Sequence, residues 1–583
     1  MKFRIRMKKL IFNILIISLI TLPVLAQKKQ QETVLKREVT LYNPFKPSLS
    51  DVIKKSFLPD MTDTVSVRPE FRYDLHPQPF MPSYTVNPIK PASLMPDPLP
   101  KLYKGYVKIG LGNYLSPLGE ISITNERSKQ GAIGINVRHF STNGKTKLQN
   151  NEKVFAGYMD NDASLFGKKF FDNSILNGSV DFSQKMRYAY GYDTIFKGYR
   201  PDKKNIRLNY YNTHVLLGLA SAINDSSRLN YDFDIDYNFF YNTSVFYQHS
   251  FGLHGLAAES FKGFYVGSGI DFDHYSFSDS THTDPRFVAA LSPFIKRKTN
   301  EWYLKLGFQV LLDRQVTGPA KLHFYPDVNF SFNIVPSYVN FFAELSGKMV
   351  QNEPFNVIRE NPFFFPERTL YNIPNTDYAF IVKGGLSGST GIGGNYQLSA
   401  SYSVVNDMLM YSNDVSFLSY FPLYSLKKGN LFKPLADNAE ILNFHGEMSG
   451  KITSYLSFNA SANYYRYTLA TNEFAWNRPG WDAALGLKYN LMNKITAGLE
   501  VEALGKRNVL VSKETIDFRG SAFSKQIFEM PAHFNMNLSA EYKYTKILSF
   551  WLKFNNISFD KYYEWAFYPS LRFMGMVGFT YSL

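Results

Sequence analysis

The 583-residue chain has no cysteine. That excludes disulfides, thiol catalysis, cysteine metal sites and anchoring through a lipidated cysteine. After its first 26 residues it also has no continuous apolar run near the roughly 20 residues that a helical membrane span requires. Its ten histidines, His139, His249, His254, His274, His282 and His445 among them, show no spacing that sets two ligands and a carboxylate on one strand face. No metal and no cofactor is expected. The glycines between Gly384 and Gly394 lack the Gly-Lys-Ser/Thr ending of a phosphate loop and read as a turn. No motif marks a serine hydrolase, and the basic residues form no helical stripe for nucleic acid. The chain reads as a non-enzyme.

What is present is apolarity in alternation: 45% of residues are hydrophobic and 16% aromatic. Leu456, Phe458, Ala460, Ala462 and Tyr464 interleave with Ser457, Asn459, Ser461, Asn463 and Tyr465. Side chains of a strand point alternately to opposite faces, so one face suits lipid and the other water. Only a closed barrel lets such strands cross a bilayer with every backbone group paired. The fold class expected is therefore all-β, a transmembrane antiparallel barrel. A soluble sandwich or propeller is the alternative, and the lipid-like outer phase argues against it.

Residues 1–26 read as a secretory signal peptide: Lys2, Arg4, Arg6, Lys8 and Lys9, then an apolar core, then Val24-Leu25-Ala26. Pro23 and the shortness of the core argue against a helical anchor. Residues 27–101 carry 12 of the 29 prolines, together with Tyr42, Phe45, Phe71, Tyr73, Phe80 and Tyr84. Proline removes backbone donors and holds the chain extended, while the rings offer something to dock with. This segment is expected to be a periplasmic extension, either unstructured or packed in the lumen or on a periplasmic or lipoprotein partner.

From residue 102 to 583, strand candidates are joined alternately by tight and long links. Tight ones include Lys262-Gly263 and Met492-Asn493; long ones include 351–376, 413–438 and 505–529. Membrane barrels place short turns in the periplasm and long loops outside, which gives about 22 strands, with 20 or 24 as alternatives. The outward set is Leu304, Leu306, Phe308, Val310 and Leu312 in one strand and Phe534, Met536, Leu538, Ala540 and Tyr542 in another. Leaving out the five basic residues of the leader, 59 basic groups face 49 acidic ones, a net charge of +10. Lys108, Arg138, Lys305, Lys488, Lys543 and Lys553 fall on the polar phase and are candidate lumen-facing cations that could favour anions.

Two stretches resemble a known family. Asn361-Pro362-Phe363-Phe364-Phe365-Pro366-Glu367 is similar to the N-P-x-L-x-P-E sequence before a barrel strand of TonB-dependent outer-membrane receptors, and Asn555-Asn556-Ile557-Ser558-Phe559-Asp560-Lys561-Tyr562 resembles their N-L-F-D-K-x-Y stretch. The residues carrying the likeness are Asn361, Pro362, Pro366, Glu367, Asn556, Asp560, Lys561 and Tyr562. The final strand, with Phe573, Val577, Phe579, Tyr581 and Leu583 on one phase, looks like the signal read by the barrel-assembly machinery. The resemblance implies a Gram-negative outer-membrane receptor contacting membrane lipids. Its usual plug domain is longer than residues 27–101, so the chain is expected to lack it. Solute transport is the function expected, with the lumen gated by the extension, the loops or a partner. The alternative is a structural or assembly subunit that docks a partner through the extension.

Overall fold

A computed structural model describes residues 103–583 except 126–127, 193, 195–201, 223–227, 243–245, 279–282, 316–317, 365–372, 392, 414–430 and 518–519. The expected leader, the extension at 27–101, and Pro366 and Glu367 of the first receptor-like stretch lie outside the described residues.

The wall begins with β1 (Gly105–Gly112), β2 (Ser116–Thr124) and β3 (Gly131–Thr142), followed by a small hairpin of β4 (Lys145–Lys147) and β5 (Lys153–Phe155). It continues through β6 (Tyr158–Phe170), β7 (Ser174–Tyr188), β8 (Arg207–Ser221), β9 (Asn230–Asn242), β10 (Phe246–Phe261) and β11 (Phe264–Ser278). Next come β12 (Thr283–Lys298), β13 (Trp302–Arg314), β14 (Lys321–Val335) and β15 (Val339–Val350), then a short helix, α1 (Pro354–Glu360). The wall resumes with β16 (Thr376–Ser389), β17 (Asn395–Asn413), β18 (Phe432–Lys451), β19 (Leu456–Leu469), β20 (Trp481–Leu491) and β21 (Ile495–Leu504). A hairpin of β22 (Arg507–Asp517) and β23 (Gly520–Met530) stands off it. β24 (His533–Lys543) and β25 (Leu548–Asn555) return to the wall, a hairpin of β26 (Tyr563–Trp565) and β27 (Tyr568–Pro569) interrupts, and β28 (Met574–Ser582) ends the chain.

Setting aside the hairpins, 22 antiparallel strands form a closed barrel. β1 pairs with β28, Tyr106 opposite Ser582, so no wall strand is left with an open edge. The expected strand number and the alternation of tight and long links are both seen. Lys262 and Gly263 make a two-residue link with φ of 49° and 82°; both residues left-handed is the turn that matches strand twist, and glycine adopts it without strain.

The outer phase is apolar and exposed, as at Ile109, Val137, Leu306, Phe308, Phe534 and Leu538. In water such a surface would be an aggregation liability, and in a bilayer it is the required band. β17 and β18 run 19 and 20 residues, longer than a crossing of about 9–11 residues needs. Their surplus carries them past the wall at the long-loop end, where Ser412 and Asn413 pair in parallel with Leu510 and Val511 of β22.

Candidate functional site

The six candidate cations share the phase opposite the exposed apolar residues, but they are spread over β1, β3, β13, β20, β24 and β25. No two of them are direct cross-strand partners. Lys108 lies 4.9 Å from the Trp551 ring centre, and Lys305 binds Asp327 at 2.5 Å. Arg138 stands opposite Glu120 and Asp162. Lys488 faces Gly498, Lys543 faces Ser549, and Lys553 faces Ser539. The structure therefore gathers no ring of positive charge from them. It gathers negative charge instead: Asp160, Asp162, Asp181, Asp232, Asp234, Asp236, Asp271 and Asp273 occupy the inward phase of β6, β7, β9 and β11, alternating with exposed Leu165, Val180, Phe233, Ile235, Ile270 and Phe272. The net positive charge of the chain concealed this arc. The alternation Asp232-Phe233-Asp234-Ile235-Asp236 was its readable signal.

The described parts of the two receptor-like stretches meet, although nearly 200 residues separate them in sequence. Asn361 ends α1, its N–H donating to Val357 O at 2.8 Å and its Oδ1 accepting from the Phe363 N–H at 3.0 Å. Tyr210 on β8 donates to Pro362 O at 2.6 Å. Across from them Asn556, at φ 52°, donates to Asp560 O at 2.8 Å and to Leu571 O at 3.3 Å. Lys561 donates to Leu148 O at 3.2 Å, and Tyr562 stacks on His533 with ring centres 4.4 Å apart. Pro362, Asn556 and Tyr562 line one cavity of about 490 Å³ with Tyr158, Arg187 and Glu564. Burial raises the Glu564 carboxyl against the opposing pull of Arg187 and Arg507. Arg187, Glu564 and the aromatic residues of β26 and β27 carried no sequence motif.

Above this cavity the loops build a cap. Phe363 lies on Tyr568 with ring centres 3.6 Å apart, Tyr568 meets Tyr190 at 5.1 Å, and Trp565 meets both Tyr411 and Phe432 at 5.3 Å. Val357, Phe364 and Ala566 are buried with them in one apolar cluster that reaches Tyr188 and Tyr210 on β7 and β8. Tyr411 and Phe432 belong to β17 and β18, on the opposite side of the 22-strand ring. The cluster therefore crosses the mouth from wall to wall.

Hydrogen bonds latch α1 to both sides. Gln248 Nε2 and Ser250 Oγ on β10 donate to Glu353 Oε2 at 2.6 and 3.2 Å, and Gln351 Nε2 donates to Asp273 Oδ2 at 2.7 Å. On the far side Tyr411 OH donates to Glu360 at 2.8 Å, and Arg478 forms an ion pair with the same carboxylate at 3.0 Å. Burial pushes the Glu353 carboxyl up to about 7; the bonds from Ser250 and Gln248 and the charge of Arg359 oppose this, and Asp273 adds to it.

No protein-family model and no curated protein matches this chain. Solved structures do. The FrpB iron transporter from Neisseria meningitidis aligns with a TM-score of 0.60 at 9% identity, over 83% of this chain and 82% of that one. The copper transporter OprC aligns at 0.59 and 12% identity, over 83% and 82%. FpvA of P. aeruginosa, in a structure bound to heterologous pyoverdines, aligns at 0.59 and 13% identity, over 82% and 72%. The fold of this barrel is the one these transporters and FpvA share. At these identities the likeness is one of fold alone. The cap geometry stands on this chain's own residues.

Proposed function

We propose that this receptor-like barrel admits a solute across the outer membrane and that its own long loops close the mouth. The observation that carries the reading is the apolar cluster joining β7 and β8 to β17 and β18 through Phe363, Trp565 and Tyr568. A barrel of 22 strands encloses more space than wall side chains fill, so a filler is required, and these loops supply one at the long-loop end. The alignment with iron and copper transporters and with a pyoverdine receptor supports uptake as the process.

In this reading the long loops face outward, the short turns face the periplasm, and residues 27–101 lie on the periplasmic side. That segment adds a second obstruction or a dock for a periplasmic or lipoprotein partner, and the barrel-assembly machinery inserts the wall. Planar-bilayer conductance of the full chain against a variant lacking residues 354–364 tests the cap. A several-fold rise in conductance is expected, and unchanged conductance overturns a loop-built gate. Removing residues 27–100 measures the second obstruction separately, and co-purification in mild detergent with and without that segment reads the partner.

A further inference from the structure

Beside the C-terminal end of α1, and apart from the cavity where the receptor-like stretches meet, a second cavity of about 310 Å³ opens against β16–β19. Its lining includes both members of one latch, Glu360 of α1 and Arg478 of the link between β19 and β20. We propose that it binds a small carboxylate with a hydroxylated body, a sugar acid being the simplest example, and that Glu360 is a built-in stand-in for that carboxylate. This names a solute class for a site at the cap and rests on the reading that the loops, α1 among them, open the mouth.

The first ground is that a carboxylate is already held here. Arg478 Nη1 lies 3.0 Å from Glu360 Oε1, and Tyr411 OH donates to Oε2 at 2.8 Å, so each oxygen has its own partner. Arg478 also donates from Nη2 to Leu409 O at 3.2 Å, which leaves further N–H groups of its five for a ligand. The arginine and the tyrosine are tied together without α1. Asn477 Nδ2 donates to Tyr411 O at 2.7 Å, and the Arg478 N–H donates to Ala475 O at 3.0 Å. Glu360 is the part that leaves with the helix. Arg478 and Glu360 are the two charged residues of the lining, so the closed site is neutral and the opened one presents an unmatched guanidinium. The exchange is easy, because the two side chains are 35% and 40% exposed and an ion pair this open to water is weak.

The second ground is the room beside that carboxylate. Tyr378, Tyr465 and Tyr467 wall it, the last two with ring planes 21° apart. Between them the strands place polar groups on the inward phase. Ser403 follows outward Tyr402, is 8% exposed, and makes no hydrogen bond among the described residues. Asn443, which precedes outward Phe444, donates to Tyr464 O at 3.4 Å, and its Oδ1 accepts nothing among the described residues. A sugar ring suits this wall: its C–H faces lie on the tyrosines and its hydroxyls pair with Ser403 and Asn443. A bare inorganic anion would leave both unused.

Calorimetric titration of the purified full chain in detergent with glucuronate and with glucuronamide, its uncharged counterpart, is the test. Glucuronate is expected to bind at least tenfold more tightly. Glu360→Gln removes the competing charge and should raise affinity for glucuronate several-fold, a gain that a misfolded variant could not give. Arg478→Gln should lower that affinity tenfold or more, and Ser403→Ala should lower it a few-fold while keeping the preference for the acid over the amide. Equal affinity for acid and amide, no binding of glucuronate by the full chain or its Glu360→Gln variant, or an affinity that Glu360→Gln leaves unmoved overturns the proposal. The gate is judged separately. Unchanged conductance on removing residues 354–364, with glucuronate still bound more tightly after Glu360→Gln, removes the loop gate and keeps the site; raised conductance without glucuronate binding does the reverse.

Discussion

The two ends of the barrel are built on different rules. At the short-turn end the chain reverses through links such as Lys262-Gly263, whose conformation is set by local twist. At the long-loop end β4–β5, α1, β22–β23 and β26–β27 fold inward, and the largest buried apolar cluster joins them. One end is specified by neighbours in sequence and the other by residues hundreds of positions apart. The difference teaches that the wall needs only lipid and strand pairing, whereas the cap is a small soluble-type core assembled on top of it.

Removing residues 354–364 should produce the largest change, making the long-loop end as open as its loops allow; single-channel conductance measures it. The wall alone is probed next. Phe308→Arg, halfway along β13, should destabilise the barrel by about 2–4 kcal/mol, whereas Leu322→Arg, at the long-loop end of β14, should cost about 0–1 kcal/mol. Equilibrium unfolding in vesicles separates them, and equal costs would mean that Leu322 too sits deep in lipid. The cap's rings come third: a double-mutant cycle on Phe363→Ala and Tyr568→Ala should return a coupling of about 1 kcal/mol in the exchange protection of cap amides. A coupling near zero would show that the stacked pair adds nothing beyond burial.

The smallest effect is a pH dependence. Burial raises the Glu353 carboxyl from 4.5 to about 7, so the docked cap favours the protonated acid. Cap stability is then full below about pH 4.5 and is lost as pH rises to about 7, because the undocked loop releases its proton first. Ser250, Gln248, Asp273 and Arg359 are the groups that face it. Glu353→Gln should flatten this dependence in hydrogen exchange, and an unaltered profile would assign the titration elsewhere.

The wall was legible in sequence because each strand must alternate to satisfy lipid and water, and each tight turn must use the few residues that fit it. Leu306, Phe308, Phe534 and Leu538 take the outer phase for that reason. The cap was not legible. Residues 351–376 and 505–529 read only as long links, since α1 owes its place to Gln248 and Tyr411, and the β22–β23 hairpin to Ser412, Asn413 and Tyr563, all far away in sequence. The six cations could be given a face but not a neighbour. The acidic arc was within reach, had each strand's inward charge been counted in place of the whole chain's.

The seam between β1 and β28 has a consequence in time. Tyr106 and Ser582 stand at the two ends of the wall's sequence, so the enclosure is complete only when the strands of greatest sequence separation have paired. Until then both flanks are unpaired edges able to capture any extended chain nearby. Shielding those flanks during assembly is therefore as much a condition for this container as the residues that line it.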